Sequence, residues 1–147
     1  MKLIAHRGNT NGPNLKRENT QSYIDESIGK GYDVEIDVWV VKGELFLGHD
    51  EPISMVDLEW LLGRSKNLWI HCKNFNSLQF LLNYDQLKLF FHEEERYTII
   101  SNGLIWAHDL REVNDQCIIP LLSEEDLVSW NPTEVFGICS DYVDYLK

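Results

Sequence analysis

Residues 34–41 alternate in a way that few environments can accommodate. In an extended strand Val34, Ile36, Val38 and Val40 share one side, and Glu35, Asp37 and Trp39 share the other. Two carboxylates therefore stand on one face, their Cα atoms roughly 6.6 Å apart at the usual rise per residue. A single cation can bridge carboxylates at that spacing. The plain alternative is a half-exposed strand with a solvated acidic face. Lys42-Gly43 turns the strand into a short partner over 44–47, which closes on Gly48-His49-Asp50.

The remaining segments alternate between strand and helix. Residues 2–5 read as a short apolar strand ending at His6-Arg7-Gly8, followed by a polar loop over 9–17. Asn19 or Thr20 can cap a helix running to about residue 30, with Tyr23, Ile24 and Ile28 inward and Gly31 as its stop. Ser54 can head a second helix with Asp57 in the capping-box slot, Met55, Leu58, Leu61 and Leu62 facing inward, and Gly63 at its end. Residues 67–72 read as a strand, 77–84 as a helix and 88–91 as a strand reaching His92. Asn102-Gly103 marks a hairpin between 97–101 and 104–106. Residues 117–121 read as a strand, 123–130 as a helix capped by Ser123, and 135–139 as the last strand, ending at Ser140-Asp141.

Such alternation predicts an α/β fold around a mostly parallel sheet. Polar residues recur where strands end, and both α/β barrels and open α/β sheets bind ligands at that edge. At 147 residues and 44% hydrophobic, one domain spanning 1–147 is expected. A formal charge of −11 speaks against nucleic acid as a partner. It leaves phosphorylated small molecules open, because a local cation and a few basic groups override a global sign. The N-terminal apolar run is too short for a signal peptide, and no stretch approaches a membrane span, so a cytoplasmic location is the expectation. Cys72, Cys117 and Cys139 form no C-x-x-C pair and read as buried thiols.

His6-Arg7-Gly8, Glu18-Asn19-Thr20, Glu35-Ile36-Asp37 and Gly48-His49-Asp50, in this order and spacing, resemble the glycerophosphodiester phosphodiesterase family of phosphatidylinositol-phospholipase-C-like barrels. Lys73 matches that family's lysine, and Ser140-Asp141 is similar to its terminal Thr/Ser-Asp. The resemblance implies a (β/α) TIM-type barrel. Full members run to about 250 residues, so this chain is expected to form a reduced, irregular barrel with fewer helices. Seven strand candidates are countable, with a hairpin where a helix is expected. The family's third metal-binding carboxylate falls at position 71, which is histidine here.

The implied activity is divalent-cation-dependent hydrolysis of a small glycerophosphodiester-like molecule. Glu35, Asp37 and His71 would hold the cation, Mg2+ or Ca2+ by resemblance, or a softer ion because imidazole suits hard cations less well. His6 and His49 would be the acid–base pair, and Arg7 and Lys73 would grip the phosphate and assist catalysis. Glu18 would support substrate binding, or simply place a charge near a helix start. Asp50 would fix its turn or orient His49, while His92 and His108 read as structural. Trp39, Trp69 and Trp106 read as packing, or as one apolar wall for a substrate. Two alternatives remain: a cyclising lyase of the sphingomyelinase-D type, and a non-catalytic barrel that binds a phosphorylated ligand or a protein partner.

Overall fold

Apolar side chains recur every second residue along the extended segments and every third or fourth along the helices, so each element has a face to bury. The computed structural model describes residues 1–131 and 133–147. Ten strands join one sheet: β1 (Lys2–His6), β2 (Asp33–Val41), β3 (Glu44–Leu47), β4 (Ser54–Val56), β5 (Leu68–Cys72), β6 (Lys88–Phe90), β7 (Tyr97–Ile99), β8 (Ile105–Ala107), β9 (Cys117–Pro120) and β10 (Gly137–Ser140). Four short helices accompany them: α1 (Gln21–Gly29), α2 (Leu58–Gly63), α3 (Phe75–Leu81) and α4 (Glu124–Ser129). A 3-10 turn, Val143–Leu146, ends the chain.

Seven strands lie side by side in the order β6-β5-β2-β1-β10-β9-β8, every neighbouring pair parallel. Strand β7 adds antiparallel beyond β8. Strands β3 and β4 branch antiparallel from the second half of β2, whose first half pairs with β1. This is a mixed α/β fold on a curled sheet. Its two ends approach through individual contacts. The Ser101 N–H donates to the Leu89 carbonyl at 2.7 Å, the Leu89 N–H donates to Ser101 Oγ at 2.9 Å, and Phe90 stacks on Trp106 with centroids 4.4 Å apart. Among the described residues no strand ladder joins β6 to β7 or β8. The backbone pairing is thus not that of a closed (β/α) barrel.

The curl divides the apolar side chains. Ile4, Trp69, Phe90, Ile100, Trp106, Ile118 and Cys139 pack together inside it. Val34, Ile36 and Val38 point outward beneath Ile24, Leu61 and Leu81 of the helices. Each such side chain stabilises the fold by about 1.5–3 kcal/mol on burial. The N-terminal strand edge is closed by Asp33, which accepts from Asn67 and from Trp69 Nε1.

Three sequence expectations need correction. Ser54 does not head a helix: residues 54–56 pair with β3, whose free edge offers Val56 a partner in Leu45, and Met55 faces solvent. Helix α2 starts later, with Asp57 at the N-cap position. Helix α3 starts earlier than residue 77, because Asn74 and Ser77 form a reciprocal capping box. Among the described residues the strands number ten: the seven counted from sequence, the two arms of the expected hairpin as β7 and β8, and β4 as the addition. Elsewhere the turns follow their residues: Lys42 and Gly43 both adopt positive φ in the β2–β3 turn, and Gly31 (φ 94°) terminates α1. All three cysteines are free and buried. No helix among the described residues is long and apolar enough to cross a membrane.

Candidate functional site

Strand alternation decides which polar groups enter the curl. His6 and His71 sit at interior positions near the carboxyl ends of β1 and β5, and Glu35 and Asp37 of the longer β2 lie level with them, register pairing His6 with Glu35 and Asp37 with His71. These groups border a cavity of about 150 Å3 with Arg7 and His49, facing an apolar wall of Phe90, Trp106, Pro120 and Leu122. Lys73 lies just beyond β5, its ammonium 3.9 Å from Asp37. Glu18 reaches the same cluster through Arg7. Every sequence-predicted site residue therefore lies at one end of the sheet.

Two loops bring in the side chains that strands do not carry. Arg7 adopts a left-handed φ of 55°, its N–H donating to the Glu35 carbonyl and its own carbonyl accepting from the Asn19 N–H. Asn19 is left-handed too, with φ 54°. Non-glycine residues in that region store strain, which the surrounding bonds hold in place. His49 follows Gly48, where a Cβ would fall 2.0 Å from the Glu51 carbonyl oxygen, so only glycine permits that turn.

Asp37 is the hub. Its carboxylate accepts from the Asn19 amide at 2.9 Å and lies 3.3 Å from His49 Nδ1, 3.2 Å from His71 Nδ1 and 3.4 Å from Arg7 Nε. Burial acts to raise its pKa, but the bonds from His49, His71 and Asn19 and the charge of His71 outweigh burial, leaving it well below the usual carboxylate range. Glu35 is the opposite case. It is 3% exposed, and burial followed by the nearby Asp37 charge pushes its pKa well up, against the counteracting Arg7 and Lys73. Its Oε2 has no hydrogen-bond partner, the nearest imidazole nitrogen being His6 Nε2 at 3.8 Å. Burial lowers the Arg7 pKa, and the Asp37 and Glu35 charges more than reverse that, so its guanidinium stays charged. Arg7 Nε also lacks an acceptor.

His6 has a defined tautomer. Asp141 Oδ1 accepts from Nδ1 at 2.9 Å, so Nε2 faces the cavity without its proton when the ring is neutral. The same oxygen accepts from Asn9 Nδ2 at 2.7 Å, which fixes the carboxylate. Asp141 as the His6 partner, Asn9, and Asn19 as an Asp37 ligand were not assigned from sequence. Of the two caps the sequence offers, Asn19 or Thr20, Thr20 takes the N-cap position, and the Asn19 side chain bonds Asp37 instead. Asp50 is only loosely engaged, 3.6 Å from His49 Nε2 with its own side chain in solvent. His92 and His108 stack with centroids 3.6 Å apart at the rim, and burial plus the neighbouring His92 pulls the His108 pKa to about 4.

The donor set fits a divalent cation. One ligand atom each from Glu35, Asp37 and His71 lie within 4.8 Å of one another. Neighbouring donors on a small divalent ion stand about 3.0–3.4 Å apart, from metal–ligand distances near 2.0–2.3 Å. The 3.2 Å between His71 Nδ1 and Asp37 Oδ1 falls in that range. Of these three side chains, Glu35 is the one with a buried oxygen that has no partner. No known family model, curated protein or solved structure matches this chain, so the reading of this cavity rests on its geometry and on the sequence resemblance.

Proposed function

We propose that this protein is a cation-dependent phosphodiester hydrolase acting on a small glycerophosphodiester-like molecule, built on a reduced (β/α) barrel. One observation carries the reading. Around a single 150 Å3 cavity stand Glu35, whose buried Oε2 has no partner, the guanidinium of Arg7 and the bare Nε2 of His6. Each lacks what a cation-bound phosphodiester would bring. The sequence motifs that resemble the glycerophosphodiesterase family are the residues that meet there.

Glu35, Asp37 and His71 would hold the cation, which when bound polarises the phosphoryl oxygens. Arg7 borders the cavity and grips a phosphate oxygen through its guanidinium, and Lys73 adds a point charge from the far side of Asp37. His6 Nε2 takes the proton of the attacking hydroxyl, with Asp141 stabilising the imidazolium that forms; where the substrate's own neighbouring hydroxyl attacks, water then opens the cyclic phosphate to complete hydrolysis. His49, held by Asp37 through Nδ1 and 40% exposed, donates a proton to the departing alkoxide oxygen. The apolar wall keeps water from competing with these contacts.

The test is a panel of small phosphodiesters assayed with individual divalent ions and with chelator. Cleavage that requires a divalent ion and is abolished in Asp37→Asn is expected. Binding of phosphorylated ligands with no cleavage under any ion would make the protein a non-catalytic module. Accumulation of a cyclic phosphate as end product would make it a lyase.

A further inference from the structure

Resting on the reading of this cavity as a cation-dependent site, we infer that the cation is a first-row transition metal such as Mn2+ or Co2+, ligated through His71 Nδ1, and is not Mg2+ or Ca2+. His71 Nε2 lies 3.1 Å from the His92 carbonyl oxygen. A carbonyl oxygen only accepts, so Nε2 carries a proton. Nδ1 is then the nitrogen that faces Asp37 Oδ1, at 3.2 Å; without metal a proton on Nδ1 bridges that contact, and a cation would take the proton's place. Metal-bound histidines regularly donate their second N–H to a backbone carbonyl, which fixes the tautomer and aims the ligating nitrogen. Here the ring plane is held as well, by Phe90 stacked at 5.0 Å and 13°.

The second observation is independent of His71. Asp37 is surrounded by donors and needs no further cation, whereas the Glu35 Oε2 next to it is buried without a partner. Protonation does not repair this, because His6 Nε2 at 3.8 Å is beyond hydrogen-bond reach. A cation held by Glu35, Asp37 and His71 would give the orphaned Glu35 carboxylate its partner. Two carboxylates and one imidazole supply less charge and a softer nitrogen donor, which disfavours Mg2+ and Ca2+ and favours the middle of the transition series. The competing arrangement is a doubly protonated His71 paired with Asp37, which needs no metal.

The test uses untagged, chelator-stripped protein titrated calorimetrically with MnCl2, MgCl2 and CaCl2. Mn2+ is expected to bind at least about tenfold more tightly than Mg2+ or Ca2+. Pulsed electron paramagnetic resonance of the bound Mn2+ is expected to show coupling to a nitrogen nucleus. His71→Glu is expected to abolish that coupling and to reverse the preference toward Mg2+. His71→Gln, closer in size, gives the same loss of coupling should the glutamate variant not fold. Equal or tighter Mg2+ or Ca2+ binding, nitrogen coupling that persists in both variants, or no divalent binding at all would each overturn the inference. The two readings fail separately. His71-dependent Mn2+ binding without phosphodiester cleavage leaves the metal assignment standing and removes the hydrolase. Cleavage supported by Mg2+ with no nitrogen coupling does the reverse.

Discussion

Glu35→Gln changes a charge while leaving the side chain almost the same size, so it isolates what the buried carboxylate is for. In the metal-free protein Glu35 is a liability: its Oε2 is buried, unpartnered and beside Asp37. An unsatisfied buried polar group costs about 1–3 kcal/mol, and more when charged. Glu35→Gln leaves a buried polar group there but abolishes its ionisation, so in chelator above pH 4.5 it is expected to raise the melting temperature, by about 2–4 °C for each kcal/mol of ionisation cost removed. With Mn2+ at a hundred times its dissociation constant, the wild type gains about 2.7 kcal/mol and the variant, lacking one ligand, gains little. The order of the two melting temperatures inverts between chelator and Mn2+.

The same carboxyl sets a pH slope. Its folded pKa lies above the ordinary value of 4.5, so the native state holds a proton that the unfolded chain has released. Metal-free wild type therefore loses stability as pH rises above about 4.5, and Glu35→Gln is free of that loss. Thermal melts by circular dichroism across pH, with chelator and with Mn2+, read all of these quantities. A variant that is less stable than wild type in chelator, or that keeps the full Mn2+ gain, would refute the argument that Glu35 awaits a cation.

His6→Ala and His49→Ala are each expected to lower phosphodiester turnover by about 10²–10⁴-fold with little change in melting temperature; full activity in His49→Ala would move the acid role to another group. Asp141→Asn keeps the size but can present an amide N–H to His6 Nδ1, turning the ring's bare nitrogen away from the cavity, and is expected to cost a similar factor in kcat with KM nearly unchanged. Gly48→Ala places a Cβ 2.0 Å from the Glu51 carbonyl oxygen, so it is expected to lower the melting temperature and to displace His49, seen as a drop in both stability and turnover. His108, held neutral to about pH 4, contributes stability that is present above its ordinary value of 6.5 and is lost as pH falls toward 4; because the ring is exposed, solvent screening leaves about 1 kcal/mol of this, and His108→Gln is expected to flatten that part of the stability–pH curve.

Much of the fold was legible because its signals are local. The alternation in residues 34–41, the Lys42-Gly43 and Asn102-Gly103 turns and the Gly31 stop all act within a few residues of themselves, and each stands where its chemistry put it. Ser54 misled because Ser54 and Asp57 spell a helix start while the open edge of β3 recruits residues 54–56 as a strand, a preference set by a neighbour rather than by the segment. How the two sheet ends meet was not legible either: they approach through Ser101 and through ring stacking between segments distant in sequence, with no strand ladder among the described residues. The site was legible wherever its residues stand on strands. Asn9, Asn19 and Asp141 were not assigned, because their roles arise from loops crossing over the strand ends.

The placement of the polar cluster and the packing of the core are here one constraint. Glu35 and Asp37 enter the curl only because Val34, Ile36 and Val38 are buried on the opposite side under α1, α2 and α3. A one-residue slip of β2 against β1 and β5 would exchange the two sets, placing both carboxylates under helices and three valine or isoleucine side chains against His6 and His71. The apolar loss alone is about 1.5–3 kcal/mol per side chain, far more than any rearrangement of the polar cluster could return. The outward valines thus hold Glu35 Oε2 in place without a partner, which no surface loop could do: a free loop would turn that carboxylate to water. The strand that makes the core is what keeps the unpartnered oxygen available for a cation.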